Sequence, residues 1–104
     1  MILTKDKENA MQKLTLFYLP RCPHCKLALR YYEQLCQENP AFAKVELELV
    51  DESRERARAN RYDYWYVPSF YLGQTKLHEG HAERADVKAV LQAAIGQAGS
   101  TNPA

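Results

Sequence analysis

Residues 14–26 of this 104-residue chain read LTLFYLPRCPHCK, and this stretch decides the fold. The apolar run LTLFYL at 14–19 stops at Pro20, which is typical of a short strand buried on both faces of a sheet. Pro23 suits the first turn of a helix, where its missing N–H costs nothing. The apolar residues that follow recur at helical spacing: Cys25, Ala28, Leu29, Tyr32, Leu35 and Cys36. The stretch therefore predicts a strand, a turn that carries two cysteines, and a helix that ends at Asn39-Pro40.

The rest of the chain predicts three more strands and two more helices. Residues 45–50 (VELELV) alternate apolar and acidic side chains, as in an edge strand with one wet face. A short helix over 52–60 follows, with Asp51 or Ser53 as its N-cap. Residues 69–72 and 75–79 form a hairpin around Gly73-Gln74. The last helix is predicted to end at Gly96, and its apolar stripe is Val87, Val90, Leu91, Ala94 and Ile95.

The order of these elements predicts an α/β fold. A strand–helix–strand start implies a parallel crossover, and the closing hairpin adds an antiparallel strand. The expected architecture is a four-stranded mixed sheet flanked by three helices (βαβαββα). We expect the folded domain to span 12–96, between a polar N-terminal lead at 1–11 and a flexible tail at 97–104.

Composition excludes several classes of function. The 14 Lys+Arg and 13 Asp+Glu residues leave a net charge of +1, which argues against a nucleic-acid-binding protein. Three cysteines, an odd number, do not make a secreted disulfide scaffold. No apolar run of about 18 residues exists to span a membrane. The charged residues 5–8 (KDKE) stand where a signal peptide would be apolar, so we expect a cytoplasmic protein.

The motif Cys22-Pro23-His24-Cys25 predicts thiol chemistry at the start of the first helix. A helix N-terminus presents unpaired N–H groups and a positive dipole end, which stabilise a thiolate on Cys22. Cys25 lies one turn further on, close enough to form a disulfide with Cys22 and release a product. Pro23 stiffens the turn, while Arg21 and His24 add positive character beside Cys22. This arrangement favours the reduced thiolate and predicts a comparatively strong oxidant.

Residues 17–26 (FYLPRCPHCK) and 67–70 (VPSF) together resemble the active site and the cis-proline loop of glutaredoxins, within the thioredoxin superfamily. The resemblance covers about residues 12–95. It implies a thioredoxin-like fold and a dithiol–disulfide oxidoreductase in which Cys22 attacks and Cys25 resolves. It also implies a cis Pro68 opposite Cys22, with the Val67 backbone pairing with a substrate or glutathione.

The resemblance extends in part to substrate contacts. Tyr66, beside the cis-proline loop, is a candidate contact, and His81 stands where the last loop of the family faces the active site. Gly80 matches the glycine turn of glutathione-using members, and Glu83 is a displaced counterpart of their aspartate. Leu19 replaces the lysine that those members place before the first cysteine.

The resemblance further implies glutathione as a possible co-substrate. We expect no tightly bound cofactor, and no metal, because the histidine pair at 78 and 81 is much further from the cysteine pair than in a zinc finger. The expected partners of a monomeric protein are disulfide-containing proteins or glutathione and a glutathione or thioredoxin reductase system. Two alternatives stay open: a thioredoxin-like reductant independent of glutathione, and a non-catalytic module that binds a metal or a partner through the aromatic loop 62–66. Zinc would need His78 and His81 with the cysteine pair, and bridging iron–sulfur ligation is a smaller possibility. Cys36 is predicted to be a buried core residue.

Overall fold

A computed structural model of the protein describes residues 13–99, which contain four strands and four helices. In chain order they are β1 (Leu14–Tyr18), α1 (Pro23–Glu38), α2 (Pro40–Ala43), β2 (Leu47–Asp51), α3 (Arg56–Ala59), β3 (Ser69–Leu72), β4 (Thr75–Glu79) and α4 (Arg84–Gly99). The predicted α/β fold with a four-stranded mixed sheet is confirmed, and the one-turn helix α2 is an addition to it. The predicted polar lead at 1–11 lies outside the described residues.

The strands form one sheet in the order β2-β1-β3-β4. β1 pairs with β2 in parallel and with β3 antiparallel, and β4 pairs antiparallel with β3. The predicted parallel crossover and the predicted closing hairpin are thus both present. β1 lies inside the sheet, so its end, from which the cysteine turn begins, is flanked by strands on both sides.

The two faces of β1 supply two separate core clusters, as the period-two geometry of a strand requires. Leu14 and Leu16 pack with residues of α1, α2 and α4 in a helix-side cluster. Phe17 points to the other face and packs with Val50, Ala59 and Tyr71 in an aromatic cluster, which Tyr62 and Tyr64 cover from the loop before β3. Both faces of β1 are therefore buried, as the run LTLFYL predicts.

Helix α1 begins and ends where the sequence predicts. Cys22 is its N-cap and Pro23 lies in its first turn, while Asn39 is its C-cap. The Asn39 side chain also accepts a hydrogen bond from the backbone N–H of Ala41 at 3.0 Å and so starts α2. One asparagine thus ends α1 and begins α2.

The predicted second helix over 52–60 is wrong in length and in its cap. Only Arg56–Ala59 is helical, and its N-cap position, Glu55, makes no side-chain capping bond. Asp51 is the last residue of β2, and its carboxylate instead accepts from the backbone N–H and the hydroxyl of Ser53, at 3.0 Å and 2.6 Å. This local turn competes with a helix for the same backbone groups.

Two further predictions, concerning Leu49 and Gly96, need correction. Leu49 is 44% exposed, whereas Val50 on the opposite face of the strand is fully buried. The alternating sequence of β2 therefore does not correspond to one buried face and one exposed face. As an edge strand, β2 has a neighbour on one side only. Helix α4 continues through Gly96 to Gly99, because Gly96 does not adopt the positive φ that ends a helix. The first residues of the predicted tail are therefore helical, and the rest of the tail lies outside 13–99.

Among residues 13–99, no helix is both long enough and apolar enough to cross a membrane.

Candidate active site

Cys22 occupies the N-cap of α1, at the point where the chain leaves β1. Its backbone is extended, with φ −80° and ψ 117°, so the side chain turns back over the first helical turn. The Cys22 sulfur accepts a hydrogen bond from the backbone N–H of Cys25 at 3.3 Å. The sulfur therefore lies at the positive end of the helix dipole and beside a backbone N–H donor. Cys22 as a residue is partly exposed.

Cys25 is more deeply buried than Cys22. Its side chain is only 1% exposed. Burial, with a smaller contribution from the neighbouring Cys22, raises the pKa of the Cys25 thiol to about 12. In the reduced protein, Cys25 is therefore a buried, protonated thiol beside the more accessible Cys22.

The loop before β3 lies opposite Cys22. The Val67–Pro68 peptide bond is cis, as the resemblance implies. The Cys22 thiol faces the carbonyl oxygen of Val67 at 4.0 Å. The carbonyl of Pro68 accepts from the backbone N–H of Gly80 at 2.8 Å, so the loop before α4 is tied to the cis-proline loop. Gly80 has a φ of 90°, a conformation that side chains other than glycine rarely adopt.

The aromatic loop 62–66 divides into a buried half and an exposed half. The rings of Tyr62 and Tyr64 lie 4.7 Å and 5.0 Å from the ring of Phe17, measured between centroids. Trp65 and Tyr66 are instead 86% and 70% exposed. The packing of half of the cluster is as the sequence predicts, and the substrate contact expected of one or two exposed rings stays a prediction.

A carboxylate that the sequence analysis did not single out holds the exposed half of this loop. One oxygen of Glu79 accepts from the backbone N–H groups of Trp65 and Tyr66, at 2.5 Å and 2.9 Å. Its other oxygen accepts from the Lys76 ammonium at 2.7 Å. The Lys76 contact, followed by the two N–H groups, lowers the pKa of Glu79 to about 2. A β-bulge between β3 and β4 sets the register that places Glu79 opposite Ser69. No local sequence pattern indicates this role.

We predict that Glu79→Gln loosens the aromatic loop without unfolding the protein. Glutamine keeps one oxygen acceptor but loses the charge that strengthens the bonds to Lys76 and the loop. Trp65 is the single tryptophan of the chain, so its fluorescence anisotropy should fall when the loop loosens. Glu46→Gln is the matched control, because exposed Glu46 directly precedes β2, the edge strand on the opposite side of the sheet from β4. Unchanged Trp65 anisotropy in Glu79→Gln would refute this role.

The contacts of the Glu79 carboxylate also predict how the stability of the aromatic loop depends on pH. The folded-state pKa of Glu79 lies below its usual value of 4.5. The stabilisation of the aromatic loop by ionised Glu79 is therefore complete above about pH 4.5 and is lost as the pH falls through about 2.

Two histidines from distant parts of the chain meet beside the cysteine turn. The Nδ1 atoms of His24 and His81 are 2.9 Å apart, although the residues are 57 positions apart in sequence. His81 Nε2 lies 2.6 Å from a carboxylate oxygen of Glu83. The structure thus joins His24, which the sequence analysis places beside Cys22, to His81 and Glu83, which it names as candidate substrate contacts. Arg21 is exposed at the start of the same turn.

A cleft of about 410 Å³ opens between the end of β1, α3 and the aromatic loop. Its wall includes Leu19, which precedes the turn, Arg56 of α3, and the rings of Tyr64 and Trp65. Arg58 of the same helix does not line the cleft. Its guanidinium forms a bidentate pair with Glu48 at 2.6 Å and 2.7 Å.

The remaining candidates are a metal site and Cys36. Within residues 13–99, no three His, Cys, Asp or Glu side chains come together as a set that can hold a metal ion. His78 Nε2 instead lies 2.8 Å from the carbonyl oxygen of His81. Cys36 is half-buried on α1 and packs against the helix-side cluster, so it is less enclosed than predicted.

Comparisons with known proteins point to one family. The family model described as Thioredoxin matches residues 3–97. A thioredoxin of Methanocaldococcus jannaschii is 33% identical over 60 residues, which are 58% of this chain and 68% of that protein. Among solved structures, a thioredoxin of Malassezia sympodialis superposes with a TM-score of 0.60 at 17% identity, over 89% of this chain and 83% of that one. A malarial protein superposes with a TM-score of 0.59 at 15% identity, over 77% and 92%. The two structures share the fold of this chain.

Proposed function

This chain belongs to the thioredoxin family, and from that membership and the site geometry we propose that it reduces disulfides of proteins and glutathione mixed disulfides through Cys22 and Cys25. At the level of the family, the function is that of a thiol oxidoreductase. One observation carries the finer proposal: an accessible sulfur at a helix N-cap lies beside a buried thiol and opposite a backbone carbonyl of a cis-proline loop.

In the proposed reaction, the Cys22 thiolate attacks one sulfur of a substrate disulfide. A Cys22–substrate disulfide forms, and the other substrate sulfur leaves as a thiolate that takes up a proton. Cys25 then loses its proton and attacks the Cys22 sulfur, which releases the second substrate thiol after another protonation. The dithiol gives up two electrons and two protons, and the substrate disulfide gains them. A glutathione or thioredoxin reductase system would restore the dithiol.

The surroundings of Cys22 favour an extended substrate. The Val67 carbonyl faces the sulfur, and the exposed rings of Trp65 and Tyr66 lie directly before it in the chain. A peptide or glutathione can therefore pair with the Val67 backbone while its apolar part contacts an aromatic ring. Arg56, at the wall of the adjoining cleft, is a candidate for a carboxylate contact.

We predict that Cys25→Ser accumulates a mixed disulfide between Cys22 and the substrate, because the resolving thiol is missing. Intact-protein mass spectrometry after reaction with oxidised glutathione or a disulfide-containing protein measures this adduct. Cys36→Ala is the matched control and should reduce the same substrates at the rate of the unmodified protein. Absence of a Cys22 adduct in Cys25→Ser, under conditions where the unmodified protein turns over, excludes this mechanism.

The finer specificity is tested with two electron donors. Turnover with glutathione, glutathione reductase and NADPH is compared with turnover with thioredoxin reductase and NADPH. The proposal expects reduction of glutathione mixed disulfides in the first system. Turnover restricted to the second system would make the protein a reductant independent of glutathione.

A further inference from the structure

The contact between His24 and His81 joins the active-site helix to the loop between β4 and α4. Their Nδ1 atoms are 2.9 Å apart, and the rings meet edge to face, with centroids 5.0 Å apart and planes at 84°. Two facing nitrogens at this distance share one hydrogen atom. The contact is therefore a hydrogen bond with one donor and one acceptor.

Glu83 decides the direction of that bond. The carboxylate of Glu83 is an acceptor, so His81 Nε2, at 2.6 Å, carries the hydrogen. A neutral His81 then has a bare Nδ1, which accepts the Nδ1–H of His24. His24 Nε2 is left available, and a proton that binds there makes His24 cationic without breaking the chain. Two cationic rings are excluded, because two N–H donors would then face each other.

We propose that His81 and Glu83 are positioning residues that act on Cys22 through His24. This inference rests on the proposed function, because it concerns the nucleophile of that reaction. His81 holds the His24 ring at the helix N-terminus, and the Glu83 carboxylate balances the single positive charge that the two rings can carry. A charge held there stabilises the Cys22 thiolate and makes the protein a stronger oxidant.

The loop that carries His81 is itself anchored. His81 O lies 2.8 Å from His78 Nε2, and the backbone N–H of Glu83 donates to the carboxylate of Asp86 at 2.9 Å. The neighbouring Gly80 is tied to Pro68 of the cis-proline loop. The position of His81 is thus set by β4, by the first turn of α4 and by the loop opposite Cys22.

The charged and titratable groups around the pair come from three elements. His78 lies on β4, and Glu83 and Asp86 lie before and within the first turn of α4. On the side of His24 the neighbours along the chain are Arg21, Cys22, Cys25 and Lys26. Glu83 is the carboxylate that contacts a ring of the pair directly.

The test is the rate at which iodoacetamide alkylates Cys22 in the reduced protein. Mass spectrometry measures this rate from about pH 5 to pH 8, the range in which histidine side chains change charge. His24→Ala and His81→Ala should each slow alkylation at the acidic end about threefold to tenfold, as expected for loss of a charge near a helix N-terminus. The double variant should be no slower than His24→Ala alone. The proposal would be overturned if His81→Ala slowed alkylation by the same factor in the unmodified protein and in the His24→Ala variant, because His81 would then act independently of His24.

Glu83→Gln separates the proposed role from a simple charge effect. Removal of a nearby negative charge should by itself favour the thiolate and speed alkylation. The proposal expects the opposite, because the loss of Glu83 weakens the charge on the histidine pair. Glu33→Gln, on the exposed side of α1, removes the same charge and is the control. Faster alkylation in Glu83→Gln than in the unmodified protein overturns the proposal.

Two additional measurements distinguish an effect on Cys22 from a general loss of structure. The reduction potentials of His81→Ala and Glu83→Gln should become more reducing, and thermal unfolding shows whether either variant disturbs the fold. Failure of the unmodified protein to reduce any disulfide would refute the proposed function. The alkylation series would still decide whether His81 and Glu83 act on Cys22.

Discussion

Cys22→Ser should lower the rate of disulfide reduction at least about a thousandfold, because a serine hydroxyl is not a nucleophile for thiol–disulfide exchange. Cys22 is the accessible cysteine of the pair, with its sulfur at the helix N-cap. Cys25 cannot replace it, because burial raises the pKa of its thiol to about 12 and its side chain is 1% exposed. The remaining thiols are therefore not expected to rescue turnover.

The measurement is the initial rate of reduction of a protein disulfide, with Cys36→Ala as the control for loss of a cysteine. The serine is almost isosteric, so the melting temperature should change little. A rate close to that of the unmodified protein would exclude Cys22 as the nucleophile. If Cys22→Ser is inactive but also unfolded, Cys22→Ala is the second variant in which the same rate is measured.

Phe17→Ala should lower the free energy of unfolding by about 3–5 kcal/mol, the usual cost of removing a buried phenyl ring. Phe17 is fully buried. Its ring contacts those of Tyr62, Tyr64 and Tyr71, at centroid distances of 4.7 Å, 5.0 Å and 5.7 Å. The cavity would open beneath the loop that leads to Val67. We therefore expect a rise in KM as well as a loss of stability.

Phe42→Ala is the matched control for this effect. Phe42 is 4% exposed and belongs to the helix-side cluster, on the other face of the sheet. Its loss should destabilise the protein by a similar amount without moving the aromatic loop. Chemical denaturation measures the stability of both variants, and the fluorescence of Trp65 reports on the loop. Equal changes of Trp65 fluorescence in both folded variants would contradict a specific support of the loop by Phe17.

Local signals in the sequence predicted the parts of the fold that depend on neighbouring residues. The run LTLFYL, the proline at the first helical turn and Asn39-Pro40 define β1 and α1, because period, capping and proline geometry act within a few residues. Local signals were misleading at two places in the chain. Gly96 was predicted to end α4, but the helix runs through it to Gly99. Residues 52–60 carry no apolar stripe, and only one turn of helix forms among them.

The candidate site shows the same division. The spacing of Cys22 and Cys25 identified the thiol pair, and the resemblance to glutaredoxins implied the cis peptide bond at Pro68, which the structure contains. Neither could show that Glu79 holds the aromatic loop. That contact depends on the β-bulge and on the register of β4, which the spacing of residues along the chain does not encode.

The stretch LTLFYLPRCPHCK by itself determined a buried strand, a helix and a thiol pair at the junction between them, because each of these follows from interactions within one or two turns of chain. Only the tertiary structure decided what surrounds that pair. It buries Cys25 and brings Val67 opposite Cys22. It also joins His24 to His81 across 57 positions. These relations arise from the order of strands in the sheet and the docking of loops at its end, which no local pattern specifies.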